Sequence, residues 1–404
     1  MLIMPYGMRG WKPTQCRIPL WPTAHVQTIR WDSTTACNMA WTSIAAVTVS
    51  TDALPLKISP RDGNTSLQFL KEWMAANKDW LDQKLLEHGA ILLQGFDVNE
   101  AIDFQEAVLQ FSPDLCDTYR GTSPRNQILG TQYVFSASEF PPHYPIPQHL
   151  EMAFLPAPPR RLFFCCLEAP TSAGGETCLA DYKKVYETMD PKIRQSFEDK
   201  GVMHIRNYVR QRSYFTDPSM MKGWEAVFGT KNREEVAREL TEDQMEHSWG
   251  ENDSLRIVNR VPAIEKHPQS GHKVWFNHLM VFHWTMYYDE PYRVYQRLGG
   301  LKQLLYSWVL WAASFFYIGL KAPSAKLSLG MNTCYGDGAA IPYRTVSHVR
   351  DTVWRNLVFN RWKQGDVLMI DNFRVSHGRQ PFSGRRKIVV SWSNPMTRPS
   401  LTRS

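Results

Sequence analysis

The sequence predicts an α+β chain with a mainly β core: a jelly roll with helical insertions. Three observations carry this. Short apolar runs bounded by glycine, proline or Asx residues recur along the chain. Helical periodicities fall between those runs rather than in one block. Candidate metal ligands, His149 and Glu151 on one side and His377 on the other, flank the inserted segments, which suggests a barrel that brings its two ends together.

Residues 1–60 hold prolines and tryptophans but few periodic segments, and read as an irregular N-terminal arm. The rest, 61–404, reads as one domain. Leu67, Leu70, Trp73, Met74, Leu81, Leu85 and Leu86 recur at three- and four-residue spacing, the mark of an amphipathic helix. His88-Gly89 ends it, as a glycine stop does. Ala90 to Leu93 is a short buried strand, and Asp103 to Phe111 a further helix. Leu162 to Leu167 is an apolar core strand in which Cys165 and Cys166 point to opposite faces. Gly174-Gly175 makes a turn before the strand Glu176–Leu179. Helices follow over 181–189, over 191–200 with proline at its first position, and over 232–245. Strands return at 255–258, 274–276, 367–370 and 387–392.

The bulk properties exclude several classes. With 43% hydrophobic and 21% charged residues over 404 positions, the chain is an ordinary globular protein. Its net charge of +7 is scattered, without a basic run of five, so no nucleic-acid partner is expected. Seven cysteines, an odd number without C-x-x-C spacing, read as thiols in a reducing compartment. Met1 to Gln15 lacks an apolar core of the secretory type, so a cytoplasmic location is expected. One stretch stands apart: Gln303 to Leu320 contains no charge, between Lys302 and Lys321, inside an apolar insertion at about 285–332. It is short for a membrane span and would separate the two halves of one metal site, so it is expected to form an active-site lid or wall.

The chemistry-bearing pattern is His149-Leu150-Glu151 answered by His377. Two imidazoles and a carboxylate cap one face of Fe(II) and leave positions open for an organic co-substrate and O2. Around them, Pro147-Gln148-His149-Leu150-Glu151-Met152, Gly174-Gly175-Glu176-Thr177, His267-Pro268-Gln269-Ser270-Gly271, Trp362 to Asn372 and His377 to Arg386 stand in order. That series resembles the TauD/TfdA-like 2-oxoglutarate oxygenases, in particular the clavaminate synthase-like or syringomycin-biosynthesis-like branch, from about Leu85 to Trp392 with a gap near 285–332. The resemblance implies a double-stranded β-helix, Fe(II), 2-oxoglutarate and O2. It implies His149, Glu151 and His377 as iron ligands, with Thr177 and Arg386 on the 2-oxoglutarate carboxylate. Arg385 is the rival of Arg386, since strand alternation sends one of the two inward.

The resemblance further implies that Glu151, where related halogenases carry a small residue, directs the chemistry to oxygenation. The expected activity is hydroxylation, desaturation or cyclisation of a small organic substrate in a biosynthetic tailoring pathway. Alternatives are a metal-dependent hydrolase on the same ligands and a catalytically silent binding protein on the same fold. His143 reads as a surface residue. His278 and His283 read as core histidines with the substrate as their other possible neighbour. Asn277 bridges strands or touches the cofactor; Asp371-Asn372 starts the turn that aims His377; Arg379 and Phe382 support the distal ligand.

Overall fold

The strand Arg161–Glu168 (β6) organises the molecule because both its faces are buried. Leu162, Phe164 and Cys166 enter one apolar core, Phe163 and Cys165 another, as the opposite orientation of the two cysteines predicts. β6 pairs antiparallel with Val367–Asp371 (β15) and with Lys387–Trp392 (β17). Ala90–Leu93 (β3), Leu56–Pro60 (β2) and Val47–Val49 (β1) extend the sheet beyond β15, and Phe135–Ser136 (β4) lies beyond β17. The computed structural model describes residues 43–50, 54–122, 125–138, 140–171, 174–208, 223–320 and 330–401.

The facing wall has four strands, in the order Leu357–Asn360 (β14), Thr177–Asp181 (β7), Val375–Arg379 (β16) and Ile146–His149 (β5). Leu179 and Val375 from this wall share a core with Leu162, Phe164, Leu368, Ile370 and Val390 from the larger one. The rings of Phe164 and His377 are 5.0 Å apart, so the walls meet at a predicted ligand. This is the expected jelly roll. Between β7 and β14 the chain inserts a separate sheet, in the order Met331–Tyr335 (β13), Val202–Tyr208 (β8), Leu255–Val261 (β10) and Glu246–Trp249 (β9). A hairpin, Ile264–Lys266 (β11) with Lys273–Trp275 (β12), lies in the same insertion.

Helices Leu67–Ala76 (α1), Lys78–His88 (α2) and Ala101–Phe111 (α3) cover the outer face of the large sheet with Phe69, Trp73, Leu81, Phe104 and Val108. The sequence expects one helix through Leu86; the structure breaks it at Asn77. The Trp73 carbonyl accepts from the Asn77 backbone N–H at 3.0 Å and from its side-chain amide at 2.8 Å, so Asn77 caps the first helix. Gly89 ends α2 at φ 80°, as predicted, and a Cβ there would come within 2.4 Å of Val375.

Two expectations need correction. Residues 44–60 are not an irregular arm: β2 pairs in parallel with β3, and Leu56 and Ile58 are buried in the outer core. Residues 1–42 of the arm lie outside the described residues. The apolar segment is the helix Leu301–Leu320. Leu301, Leu305, Trp308, Val309 and Phe316 are all more than half exposed. Trp308 and Trp311 pack edge to face on each other, and none of the described side chains of this helix borders the cavities beside the metal ligands. The described side chains therefore do not form the expected lid. Among the described residues no helix is long and apolar enough to cross a membrane.

Burial separates two substitutions sharply. Phe104→Ala empties a fully buried site and is expected to cost about 3–5 kcal/mol. Trp308→Ser, at a residue 58% exposed, is expected to stay within about 0.5 kcal/mol. Denaturant unfolding of the two variants checks both values.

Candidate active site

Two adjacent strands bring the predicted metal ligands together. β16 runs antiparallel to β5 with His377 directly opposite His149, and the two rings are 4.2 Å apart. The pairing shifts register after His377. Gly378 is required there: a Cβ would lie 2.6 Å from Gln148 Nε2 and 2.7 Å from the Ile146 carbonyl. β5 ends at His149, so Glu151 sits in the following turn, where Met152 takes a left-handed φ of 54°. Asn372 fixes that turn from across the barrel. Its Oδ1 accepts from the Glu151 backbone N–H at 2.7 Å. Its Nδ2 donates to the Glu151 carbonyl at 3.0 Å and to the Pro159 carbonyl at 2.8 Å. Asp371 makes the predicted Asx turn, accepting from the Phe373 N–H at 3.0 Å.

One ligand atom from each of His149, Glu151 and His377 lies within 4.8 Å of the others. Glu151 Oε2 stands 3.8 Å from His149 Nε2 and 3.5 Å from His377 Nε2, so this oxygen faces both rings. His149 Nδ1 is 2.9 Å from the Pro147 carbonyl, which fixes the proton on Nδ1 and leaves the Nε2 lone pair free. Burial, with His149 beside it, pushes His377 down to about 4, so it is a neutral donor at physiological pH. Burial alone would raise Glu151, but Arg125 and the two imidazoles outweigh it and hold the carboxyl well below its usual range. Two imidazoles and one carboxylate, with ligand atoms converging on one point, fit a single divalent ion.

Two cavities meet at this point, and His149 lines both. The first encloses about 640 Å3, mouth included, and is mainly apolar and aromatic, with Tyr119, Phe140, Ile146, Phe154, Val281 and Met286. The second encloses about 480 Å3, mouth included, and is cationic. Arg125, Arg379 and Arg386 line it beside Thr177, and none of its lining residues is acidic.

The predicted residues fall as follows. Thr177 and Arg386 share the cationic cavity, with Arg386 Nη2 3.5 Å from Thr177 Oγ1. Arg386 Nε donates to the Gly175 carbonyl at 3.0 Å, and burial pulls the guanidinium down to about 10. Arg385 points outward, its side chain 82% exposed and paired with Glu168. Arg379 does not reach the ligands; it straps a loop, donating to the carbonyls of Phe140, Pro141 and Tyr144. Phe382 lies under Arg379 and Arg386. His278 lines the apolar cavity, its Nδ1 buried without a partner. His283 is a core residue bonded to Thr285, and His143 is exposed against Tyr306. Asn277 bridges backbone, bonding the Ala263 carbonyl and the Leu279 N–H, away from both cavities. The 267–271 motif is structural: His267 Nε2 donates to Asp371 at 2.8 Å.

Sequence reasoning missed the partners of Glu151. Tyr119 donates to Oε1 at 3.1 Å and Arg125 to Oε2 at 2.7 Å. Both come from an irregular stretch before β5, where no periodicity marks an inward residue. The Asn372 clamp generates a prediction: Asn372→Leu frees the Glu151 turn and is expected to weaken metal binding about 10- to 100-fold. A metal-competition titration reads it, with circular dichroism confirming the fold.

The family model for taurine catabolism dioxygenase TauD, TfdA family, matches residues 52–392. A clavaminate synthase-like protein of Arabidopsis thaliana is 29% identical over 350 residues, covering 83% of this chain and 92% of the relative. The dapdiamide synthesis protein DdaC of Enterobacter agglomerans is 29% identical over 317 residues, covering 78% of this chain and 85% of the relative. Among solved structures, PvcB, an Fe, alpha-ketoglutarate dependent oxygenase from an isonitrile synthetic pathway, aligns over 89% of this chain and 97% of its own at 14% identity and a TM-score of 0.49. The family match runs from β2 to the end of β17 and contains His149, Glu151 and His377. The chain thus belongs to the TauD/TfdA family and is a dioxygenase that uses Fe(II), 2-oxoglutarate and O2 on a small-molecule substrate.

Proposed function

We propose that this enzyme hydroxylates, desaturates or cyclises a small organic substrate in a biosynthetic tailoring pathway, releasing succinate and CO2. The junction at His149 carries the reading: an apolar chamber bordered by His149 and Glu151 adjoins a cationic chamber bordered by His149 and His377. In this reading His149 Nε2, Glu151 Oε2 and His377 Nε2 hold Fe(II). Iron held there supplies O2 activation, driven by the oxidative decarboxylation of 2-oxoglutarate.

The chain's own residues divide the remaining work. Arg386 and Thr177 anchor the distal carboxylate of 2-oxoglutarate in the cationic chamber. Trp362 Nε1–H donates to Thr177 Oγ1 at 2.9 Å, so the threonine hydrogen is left to donate to an anion. Arg386 offers a planar fork to the same carboxylate. The apolar chamber excludes water and holds an unreactive C–H bond near the iron. Glu151 supplies a third protein ligand, which favours oxygenation over halide transfer. A biosynthetic role is supported by the dapdiamide synthesis relative. A reducing, cytoplasmic setting is supported by Cys116, Cys165, Cys166, Cys178 and Cys334, all free thiols. A hydrolase on the same ligands would leave Arg386, Thr177 and the cationic chamber without a task.

Two experiments test this reading. Alanine at His149, Glu151 or His377 removes one of three ligands and is expected to abolish 2-oxoglutarate turnover. Full iron content with normal succinate release in Glu151→Ala would overturn the ligand assignment. Arg386→Ala breaks a buried charge pair with the co-substrate, a loss of about 3–5 kcal/mol. The KM for 2-oxoglutarate is then expected to rise about a hundredfold or more, while the exposed Arg385→Ala stays near wild type. Steady-state succinate assays decide between them.

A further inference from the structure

Arg125 is the buried cation beside the metal ligands that the reading above does not use. Its side chain is only 4% exposed. It lies near the faces of Tyr119, at 4.8 Å, and Trp392, at 5.8 Å, so its surroundings are two aromatic rings rather than water. Its one recorded hydrogen-bond acceptor is Glu151 Oε2, met by Nη2 at 2.7 Å. Among the described residues, Nε and Nη1 are buried without a hydrogen-bond partner. An unmatched N–H on a buried guanidinium is costly, because it has given up water without replacement.

The position of that one bond matters. Glu151 has an outer oxygen, Oε1, which Tyr119 holds, and an inner one, Oε2, which faces both histidines. Arg125 bonds the inner oxygen. A metal held by the triad claims the same oxygen, which weakens the one acceptor Arg125 has. Arg125 also lines the cationic chamber, where no acidic side chain can replace it. The other two arginines there are differently engaged. Arg379 gives both terminal nitrogens to the Phe140–Tyr144 loop, and Arg386 is oriented by Gly175 beside Thr177. Two buried donors of a residue that lines the cationic chamber are therefore left for a small anion.

We propose that Arg125 is a second carboxylate-binding residue of this site: through Nε and Nη1 it holds a carboxylate beside the metal, contributed by the keto-acid end of 2-oxoglutarate or by the primary substrate. This rests on the assignment of His149, Glu151 and His377 as the iron ligands. If the substrate supplies the group, the enzyme acts on carboxylic acids whose apolar part fills the chamber of Phe140, Phe154 and Met286.

The test compares wild type with Arg125→Met, which keeps the bulk and loses the donors, and with Arg125→Lys. All are loaded with Fe(II) without oxygen. Calorimetry measures 2-oxoglutarate binding, then the binding of hexanoate and of hexanamide to protein saturated with 2-oxoglutarate. Bound iron is measured in each sample. The expected result is iron affinity within about threefold of wild type and a tenfold or greater loss, in Arg125→Met, of one carboxylate. Loss of 2-oxoglutarate assigns the group to the co-substrate. Loss of hexanoate, with hexanamide weak throughout, assigns it to the substrate. The proposal is overturned if 2-oxoglutarate binds both proteins alike and hexanoate either does the same or binds neither. It is also overturned if Arg125→Met loses iron while carboxylate binding per bound iron is unchanged, since Arg125 then only positions Glu151. Failure of the underlying assignment shows separately, as iron retained in full by Glu151→Ala.

Discussion

The register between β5 and β16 is the constraint on which the site depends. His377 can face His149 in only one alignment, because neighbouring residues of a strand point to opposite sides. A slip of one residue would send His377 away from Glu151 and bring Gly378 in its place. Several features hold the register. Gly378 admits a close approach of β5, Ser376 donates to the Gln148 side chain at 2.7 Å, and Asn372, just before β16, grips the backbone of Glu151. The same short segment therefore supplies one ligand and orients another. The long insertion between β7 and β14 leaves this pairing undisturbed because β14 returns to β7 in full register, Asn360 opposite Thr177.

Charge is arranged around that geometry in a way only an anion completes. Arg379 and Arg386 line one chamber without an acid beside them, and burial brings Arg379 down to about 9. Part of the cost is offset by backbone carbonyls, since Arg379 is bonded to three of them. Those bonds also order the loop whose Phe140 walls the apolar chamber. The cationic chamber is coupled through Arg379 to the Phe140 wall of its apolar neighbour, so the two chambers are joined by a strap as well as by His149.

Much of this was legible in the chain. Strands such as β6 and β17 announce themselves as apolar runs, and helix ends at Gly89 and Asn232 follow ordinary capping chemistry. The family resemblance pointed to Arg386, alternation said only that one of Arg385 and Arg386 turns inward, and Arg385 is the exposed one. What escaped is informative. β5, IPQH, and β16, VSHGR, carry histidine, glutamine, serine and arginine at buried or half-buried positions on both faces, so their composition resembles a loop. The helix Met286–Leu298 was hidden for the same reason: it buries Asp289, Glu290 and Arg293, with Pro291 inside it. Asp289 is answered by Arg293 and by Arg350 from the distant helix Tyr343–Arg355, and a partner about 60 residues away leaves no local trace. The apolar helix Leu301–Leu320 failed in the opposite sense. Its composition implied burial, and its most apolar stripe faces outward.

Two buried arginines, Arg398 and Arg125, contrast a scaffolding role with one open to a ligand. Arg398 is fully buried, yet every nitrogen is used: Nε on Glu265, Nη1 on the Ala153 carbonyl, Nη2 on the carbonyls of Pro262 and Phe276. Such a group ties the end of the chain to the turn after Glu151 and has nothing left to offer. Arg125 is buried to a similar degree, bonds one oxygen that a metal would share, and keeps two donors unmatched. A protein gains no stability from donors left in that state. Their retention beside three converging ligand atoms makes sense when something that arrives with the substrates accepts them. Unmet hydrogen bonds occur elsewhere in the fold as well; those of Arg125 stand in a chamber that His149 and His377 also line.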